Sequence, residues 1–217
     1  MSRTESVMSF VHLHVHSHMS FLDSTIRIPD LVARVKALGM NSVALTDHNN
    51  LFGAVQLLKA CKANDIKPIF GAEILIPDER PTGRNFHLIL LCRNTEGMTN
   101  LRAIITKAYV EGMKGGIPLS SHEMLTSHSN GLIALSACLG GEVSQALLRG
   151  DPAGAETAAG WYARTFGTDG FFLELQANEL AEQMSCNNAL IDLAHRTGLP
   201  LVATNNAHYL EREDAIA

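Results

Sequence analysis

The chain has 217 residues, 46% of them hydrophobic, with a formal net charge of −5 and a pI near 6.0. That length and apolar content suffice for one sizeable core, read as a single domain over residues 10–217 behind a tail of residues 1–9. The acidic balance excludes a broad basic surface that would hold nucleic acid non-specifically, and no apolar run approaches the roughly 20 residues that span a bilayer.

Cys61, Cys92, Cys138 and Cys186 stand far apart with no CxxC pair, and the first ten residues lack the apolar stretch of a secretion signal. A reducing cytoplasm is therefore the expected compartment. There is no internal repeat and no low-complexity tract.

Short apolar runs predict strands at residues 10–15, 42–46, 68–76, 86–91, 131–136, 171–175 and 200–204. Between the first two, Pro29 to Gly39 reads as a helix with proline in its first turn and glycine ending it, and Leu31, Val35 and Leu38 share one face. Leu51 to Ala63 repeats the pattern with Leu51, Val55 and Leu58, and Leu180 to Thr197 closes on Gly198-Leu199-Pro200. Pro77 to Asn85 and Lys114 to Pro118 read as surface loops. Strand and helix alternate, which predicts a parallel sheet, and seven such units can close into an α/β barrel.

In a parallel barrel the loops after the strand ends converge over one mouth. His14 and His16, two apart on a strand, point to one face there. His48 follows Leu45-Thr46-Asp47, Glu73 lies in Phe70-Gly71-Ala72-Glu73, Cys138 follows Leu135-Ser136-Ala137, and His208 follows Asn205-Asn206-Ala207. His87 is the exception, standing near the start of its strand. Imidazole, carboxylate and thiolate together suit zinc, iron or manganese better than magnesium, and so many ligands imply more than one ion. Two ions roughly 3.5–4 Å apart can bridge a hydroxide, bring the pKa of bound water toward about 7 and steady a phosphate, which points to phosphoester hydrolysis.

The motifs His14-Val15-His16-Ser17, Thr46-Asp47-His48, Gly71-Ala72-Glu73 and Asn206-Ala207-His208 resemble the PHP (polymerase and histidinol phosphatase) family. Phe21-Leu22-Asp23, Phe86-His87-Leu88-Ile89-Leu90-Leu91, Gly140-Gly141-Glu142-Val143, Phe172-Leu173-Glu174-Leu175 and Leu201-Val202-Ala203-Thr204-Asn205 are similar to its subfamily at the amino end of bacterial DNA polymerase III alpha subunits. The resemblance runs from about Phe10 to the last residue. It implies a distorted seven-stranded α/β barrel holding two or three divalent metals (zinc, manganese or iron) on His14, His16, Asp23, His48, Glu73, His87, Cys138, Asn206 and His208. Where the family normally carries aspartate this chain has Asn206, which offers a carbonyl oxygen without charge and cannot take a proton from bound water, so one metal and turnover should suffer.

Two outcomes are implied. One is a metal-dependent 3'-5' exonuclease on a DNA 3' end or primer-template, working through a metal-held hydroxide. The other is a degenerate barrel that supports the polymerase and docks a separate proofreading exonuclease. The remainder of the polymerase chain is the expected partner, with the sliding clamp reached through other regions. Because the chain stops at Glu211 to Ala217, just after the last motif, it is expected to be truncated before the polymerase regions. The rivals are a stand-alone phosphatase on a small ester such as histidinol phosphate, and a non-catalytic scaffold that its metals only stabilise.

Among neighbouring residues, Asp47 is expected to accept a hydrogen bond from a histidine and fix its tautomer. His12 shares the face of His14 and reads as support or packing. Taken alone, Cys138 reads as a buried thiol and Asp23 as a cap; only membership of the set promotes them. His18, His122, His128 and His195 are assigned nothing, Trp161 and Tyr162 are packing groups in a helix, and Gly140-Gly141-Glu142 is a tight turn.

Overall fold

The computed structural model describes residues 10–80 and 84–216. The expected tail of residues 1–9 and the middle of the expected loop Pro77 to Asn85 lie outside the described residues. Helix α1 (Ile28–Ala37) has Pro29 in its first turn and buries Ile28, Leu31, Val32 and Val35, while Leu38 caps it and is exposed. Strand β1 (Ser42–Leu45) leads to α2 (Ala54–Asn64), which starts three residues later than expected. The Asn50 side chain accepts from the Phe52 amide (3.0 Å), so the chain turns there instead of beginning a helix. The buried face of α2 is Leu57 and Cys61, not Leu51, Val55 and Leu58. Both sets have helical spacing, and packing against Ile28, Leu31 and Val43 selects the first; Val55 and Leu58 stay exposed.

There follow β2 (Lys67–Ile76), β3 (Phe86–Cys92), α3 (Thr95–Val110), a small hairpin of β4 (Met113–Lys114) and β5 (Ile117–Pro118), α4 (His122–Ser127) and β6 (Leu132–Leu135). The chain continues through α5 (Glu142–Leu148), α6 (Pro152–Phe166), β7 (Phe171–Gln176), α7 (Ala181–Thr197), β8 (Leu201–Thr204) and a 3-10 turn at Arg212–Ile216. Lys114 to Pro118, expected as plain loop, therefore carries paired backbone. Side chains of Asn94, Ser121 and Asp151 cap α3, α4 and α6 by accepting from amides three residues on, and left-handed Gly198 ends α7.

Six strands form one sheet in the order β1-β2-β3-β6-β7-β8. It is not all parallel: β3 runs antiparallel to both β2 and β6. Only residues 77–85 separate β2 from β3, too few for the helical crossover that a parallel neighbour needs, so the chain doubles back. The stretch expected as a strand at residues 10–15 is irregular. It makes only isolated parallel bridges, His12 to Val43 on one side and Val15 to Ala207 on the other. Those bridges join the two sheet edges: the His12 and Val15 carbonyls accept from Ala44 and Thr46, while His14 and His16 exchange bonds with Ala207. This seventh segment closes the curled sheet into a distorted α/β barrel.

Inside lie Ala44, Ile89, Leu91, Leu135 and Ala137, with Leu13 and Phe172 against them. Outside, α3 to α7 cover β2, β3, β6 and β7 through Leu88, Leu90, Leu101, Ile104, Tyr162, Phe171 and Leu190, and α1 and α2 cover β1. Each such buried Leu, Ile or Phe contributes about 1.5–3 kcal/mol. Trp161 and Tyr162 do pack in a helix, Tyr162 fully buried with its hydroxyl donating to Glu142 (2.7 Å).

Candidate metal centre

The reversal of β3 accounts for His87. Because β3 starts where its neighbours end, His87 pairs opposite Leu75 on β2 and stands at the barrel mouth with the other candidates. Its Nδ1 lies 2.8 Å from Glu73 Oε1, and His48 Nδ1 lies 2.7 Å from the same oxygen. Glu73 Oε2 is 3.1 Å from His14 Nε2 and 3.7 Å from His16 Nε2. One buried carboxylate thus sits among four imidazoles. Among the described residues, three groups have ligand atoms close enough for one ion each: His14, His16 and Glu73; His16, Asp23 and His48; Glu73, His87 and Cys138. Glu73 and His16 are each shared by two groups.

A fit test comes from the hydrogen bonding. Glu73 Oε1 and His87 Nδ1 are buried and close, yet neither has a hydrogen-bond partner of acceptable geometry. Groups aimed at a common point rather than at one another suit a cation between them. Second bonds orient two of the histidines. Ser20 Oγ donates to Asp47 (2.8 Å), so it accepts from His16 Nδ1 (3.1 Å), leaving His16 Nε2 bare toward Glu73. His14 Nδ1 donates to Glu174 Oε1 (2.7 Å), which directs its Nε2 inward.

Asp47 is buried but touches no histidine. It accepts from the Ser17 amide (2.6 Å), the Ser17 hydroxyl (2.9 Å) and Ser20, and reaches His16 only through Ser20. The carboxylate that orients His14 from behind is Glu174, fully buried and also holding Gln176 (2.8 Å) and Thr204. Its signal was a lone acid in the apolar run of β7, on the inward face with Phe172 and Gln176.

Asp23 sits on a tight turn, 2.6 Å from His48 Nε2 and 3.1 Å from His208 Nδ1. His208 stacks on His16 at 4.5 Å and faces Asn206 Oδ1 at 3.0 Å, but both stand outside the three groups. Asn206 has a left-handed backbone (φ 49), which asparagine tolerates well. His12 lies beside Phe10 (4.9 Å) and belongs to none of the three groups.

Burial opposes charge on His14, but Glu174 and Glu73 overcome it and push its pKa up to about 10. At His87 burial is likewise overcome by Cys138 and Glu73, again to about 10. Burial dominates at His16 and lowers it to about 4. The four histidines hold Glu73 well below the usual carboxylate range despite its burial. Since the unfolded chain releases the His14 and His87 protons near 6.5, their pairing stabilises the metal-free fold fully below that pH, and the effect is lost as pH rises toward about 10. A metal-free sample is expected to melt at a lower temperature near pH 10 than near pH 7, and calorimetry across that range checks it.

Gly140 packs on the His87 ring: a Cβ there would meet ring atoms at 3.1–3.3 Å. Gly140→Ala is expected to shift that ring and weaken whatever ion His87 and Cys138 hold, by about ten-fold as for other orienting contacts. Competition with a metal indicator dye reads the change, and an unaltered affinity would mean the ring moves freely.

The PHP domain model matches residues 12–178. The chain is 44% identical to the DNA polymerase III subunit alpha of Treponema pallidum over 97% of its length, and 40% identical to the error-prone DNA polymerase of Symbiobacterium thermophilum over 95%. It covers 18% and 20% of those proteins, so it spans about a fifth of the curated relatives it matches. A solved structure from Bifidobacterium adolescentis, described as a metal-dependent phosphoesterase, superposes with a TM-score of 0.57 at 15% identity, covering 93% of this chain and 88% of that one, which is a likeness of fold. From the family match over most of its length and from these relatives, the chain belongs to the PHP family, and it is homologous to a segment of DNA polymerase III alpha subunits.

Proposed function

We propose that residues 10–217 form the PHP domain of a bacterial replicative DNA polymerase alpha subunit, working in the cytoplasm as part of a DNA-directed DNA polymerase. We further propose that its mouth is a phosphoesterase centre acting on DNA 3' ends. The observation that carries this is the sharing of Glu73 and His16 between adjacent ligand groups, the arrangement expected of a multinuclear rather than a single-ion site. Two or three ions of zinc, manganese or iron would be held by His14, His16, Asp23, His48, Glu73, His87, Cys138, Asn206 and His208, and when bound they supply Lewis acidity for phosphodiester hydrolysis.

The chain's own residues prepare that site. Glu174 keeps a proton on His14 Nδ1, and Ser20, itself fixed by Asp47, accepts the one on His16 Nδ1, so both Nε2 atoms face inward. Asp23 draws His48 and His208 toward the rim. Asn206 adds an oxygen but no charge.

Asn206→Asp is therefore expected to raise metal occupancy and the rate of 3'-end hydrolysis by about ten-fold or more, the order that one supporting contact is worth at a metal site. Elemental analysis of both proteins, with digestion of a 3'-labelled oligonucleotide, tests it. Cleavage by neither form defeats the exonuclease reading and leaves a scaffold that docks a separate proofreading subunit. Turnover of histidinol phosphate in a panel of small esters would instead favour a phosphatase.

A further inference from the structure

Two turns flank the candidate metal centre, and both carry large apolar side chains into solvent. Leu22 is 109% exposed, Phe21 74% and Phe52 65%. Isolated exposed apolar residues are ordinary, but these three are grouped in sequence around Asp23 and His48. Leu22 also holds a left-handed backbone (φ 64), an unfavourable conformation for a leucine and one that tends to persist where it serves a function.

Both turns are braced by hydrogen bonds. The Asp23 and Ser24 amides both donate to the Ser20 carbonyl (3.1 and 3.3 Å), and the Asp23 carbonyl accepts from His208 Nδ1 (3.0 Å). On the other turn, the Asn50 amide group donates to the carbonyls of Met19 (3.1 Å) and His48 (2.9 Å), tying the two turns together. The two turns are thus tied by hydrogen bonds within and between them, and their apolar side chains are left on the rim.

We infer that Phe21, Leu22 and Phe52 form a seat for the unpaired nucleobase at the 3' end of a DNA strand whose terminal phosphodiester lies in the candidate metal centre. This rests on the phosphoesterase reading and deepens it. A phosphodiester within a strand is flanked by nucleosides, so a base lies close to the mouth, within reach of the rim beside it. Aromatic and apolar faces hold bases without regard to sequence, as removal of any terminal nucleotide requires. A small phosphate ester would have no use for such a rim. The chain's acidic balance gives no general attraction for DNA, so local stacking would carry much of the recognition.

The test is a binding cycle on the chain in the presence of manganese. It uses two single-stranded oligonucleotides, one ending in a normal 3' nucleotide and one in an abasic residue, each with the bridging 3' oxygen of the last linkage replaced by a methylene group to block turnover. Wild type is expected to bind the base-ended strand about ten-fold more tightly, and the preference should fall close to one in the Phe21→Ala/Phe52→Ala double variant. Leu22→Gly should reduce the preference while keeping the melting temperature, because glycine relaxes the left-handed backbone. Equal affinity for the two strands in wild type, or a preference untouched by these variants, would overturn the inference; the rim would then be covered by protein. A base preference without any hydrolysis of the normal linkage would uphold the seat and defeat the phosphoesterase reading. Hydrolysis without a base preference would do the reverse.

Discussion

Glu73→Gln is expected to remove metal from two of the three ligand groups at once and to destabilise the metal-free protein as well. The carboxylate belongs both to the group with His14 and His16 and to the group with His87 and Cys138, and its two oxygens face four imidazoles at 2.7–3.7 Å. Glutamine preserves the shape but not the charge, so the cations lose the one buried anion they would share. In the metal-free protein the same change leaves the charged His14 with Glu174 as its remaining counter-ion. Removing one partner from a buried charged cluster costs on the order of 3–5 kcal/mol. Elemental analysis should find at most one ion per chain, and urea unfolding of the chelator-treated protein should show the destabilisation. Metal content equal to wild type would mean that Glu73 does not bridge the groups.

Glu174→Gln is the second large effect, and it acts at one remove. The neutral amide can still accept from His14 Nδ1, but it no longer strengthens that bond with charge, and it disturbs the contacts with Gln176 and Thr204. Partners that orient a metal-bound histidine are worth about 10–100-fold in metal affinity. Chelator competition should therefore show a loss of that order. The pKa of His14, raised to about 10 with Glu174 present, should fall in the metal-free variant, and histidine NMR titration reads it directly. If affinity and titration are both unmoved, packing alone positions His14.

Much of the centre is legible in the sequence. His14 and His16 obey the two-residue strand period, and His48, Glu73 and Cys138 each follow an apolar run, so their convergence needed only the rule that strand ends share a mouth. His87 was set apart because an all-parallel sheet places it at the wrong end. The short connection at residues 77–85 already contained the correction, since no parallel crossover fits there. Glu174 was visible as an acid inside an apolar strand, yet its partner was not, because His14 lies 160 residues away. The Asp47 expectation named the right kind of support and the wrong partner: two serines from the loop after His16 reach it first.

The buried face of α2 is the case where periodicity alone was insufficient. Leu51, Val55 and Leu58 and the pair Leu57 and Cys61 are both spaced for a helix, and nothing local ranks them. The Asn50 turn and the surface offered by α1 decide in favour of Leu57 and Cys61.

By itself, the sequence determined the α/β class, the places of most strands and of the helices α1, α2 and α7, and the residue types gathered at the mouth, because periodicity, caps and side-chain chemistry are local properties. Tertiary structure alone decided the closure of the sheet through residues 12–16, the sharing of Glu73 among four histidines and the pairing of His14 with Glu174. Each of these joins segments far apart in the chain, and such contacts are fixed by which packed arrangement buries the most apolar surface while leaving the fewest polar groups unpaired.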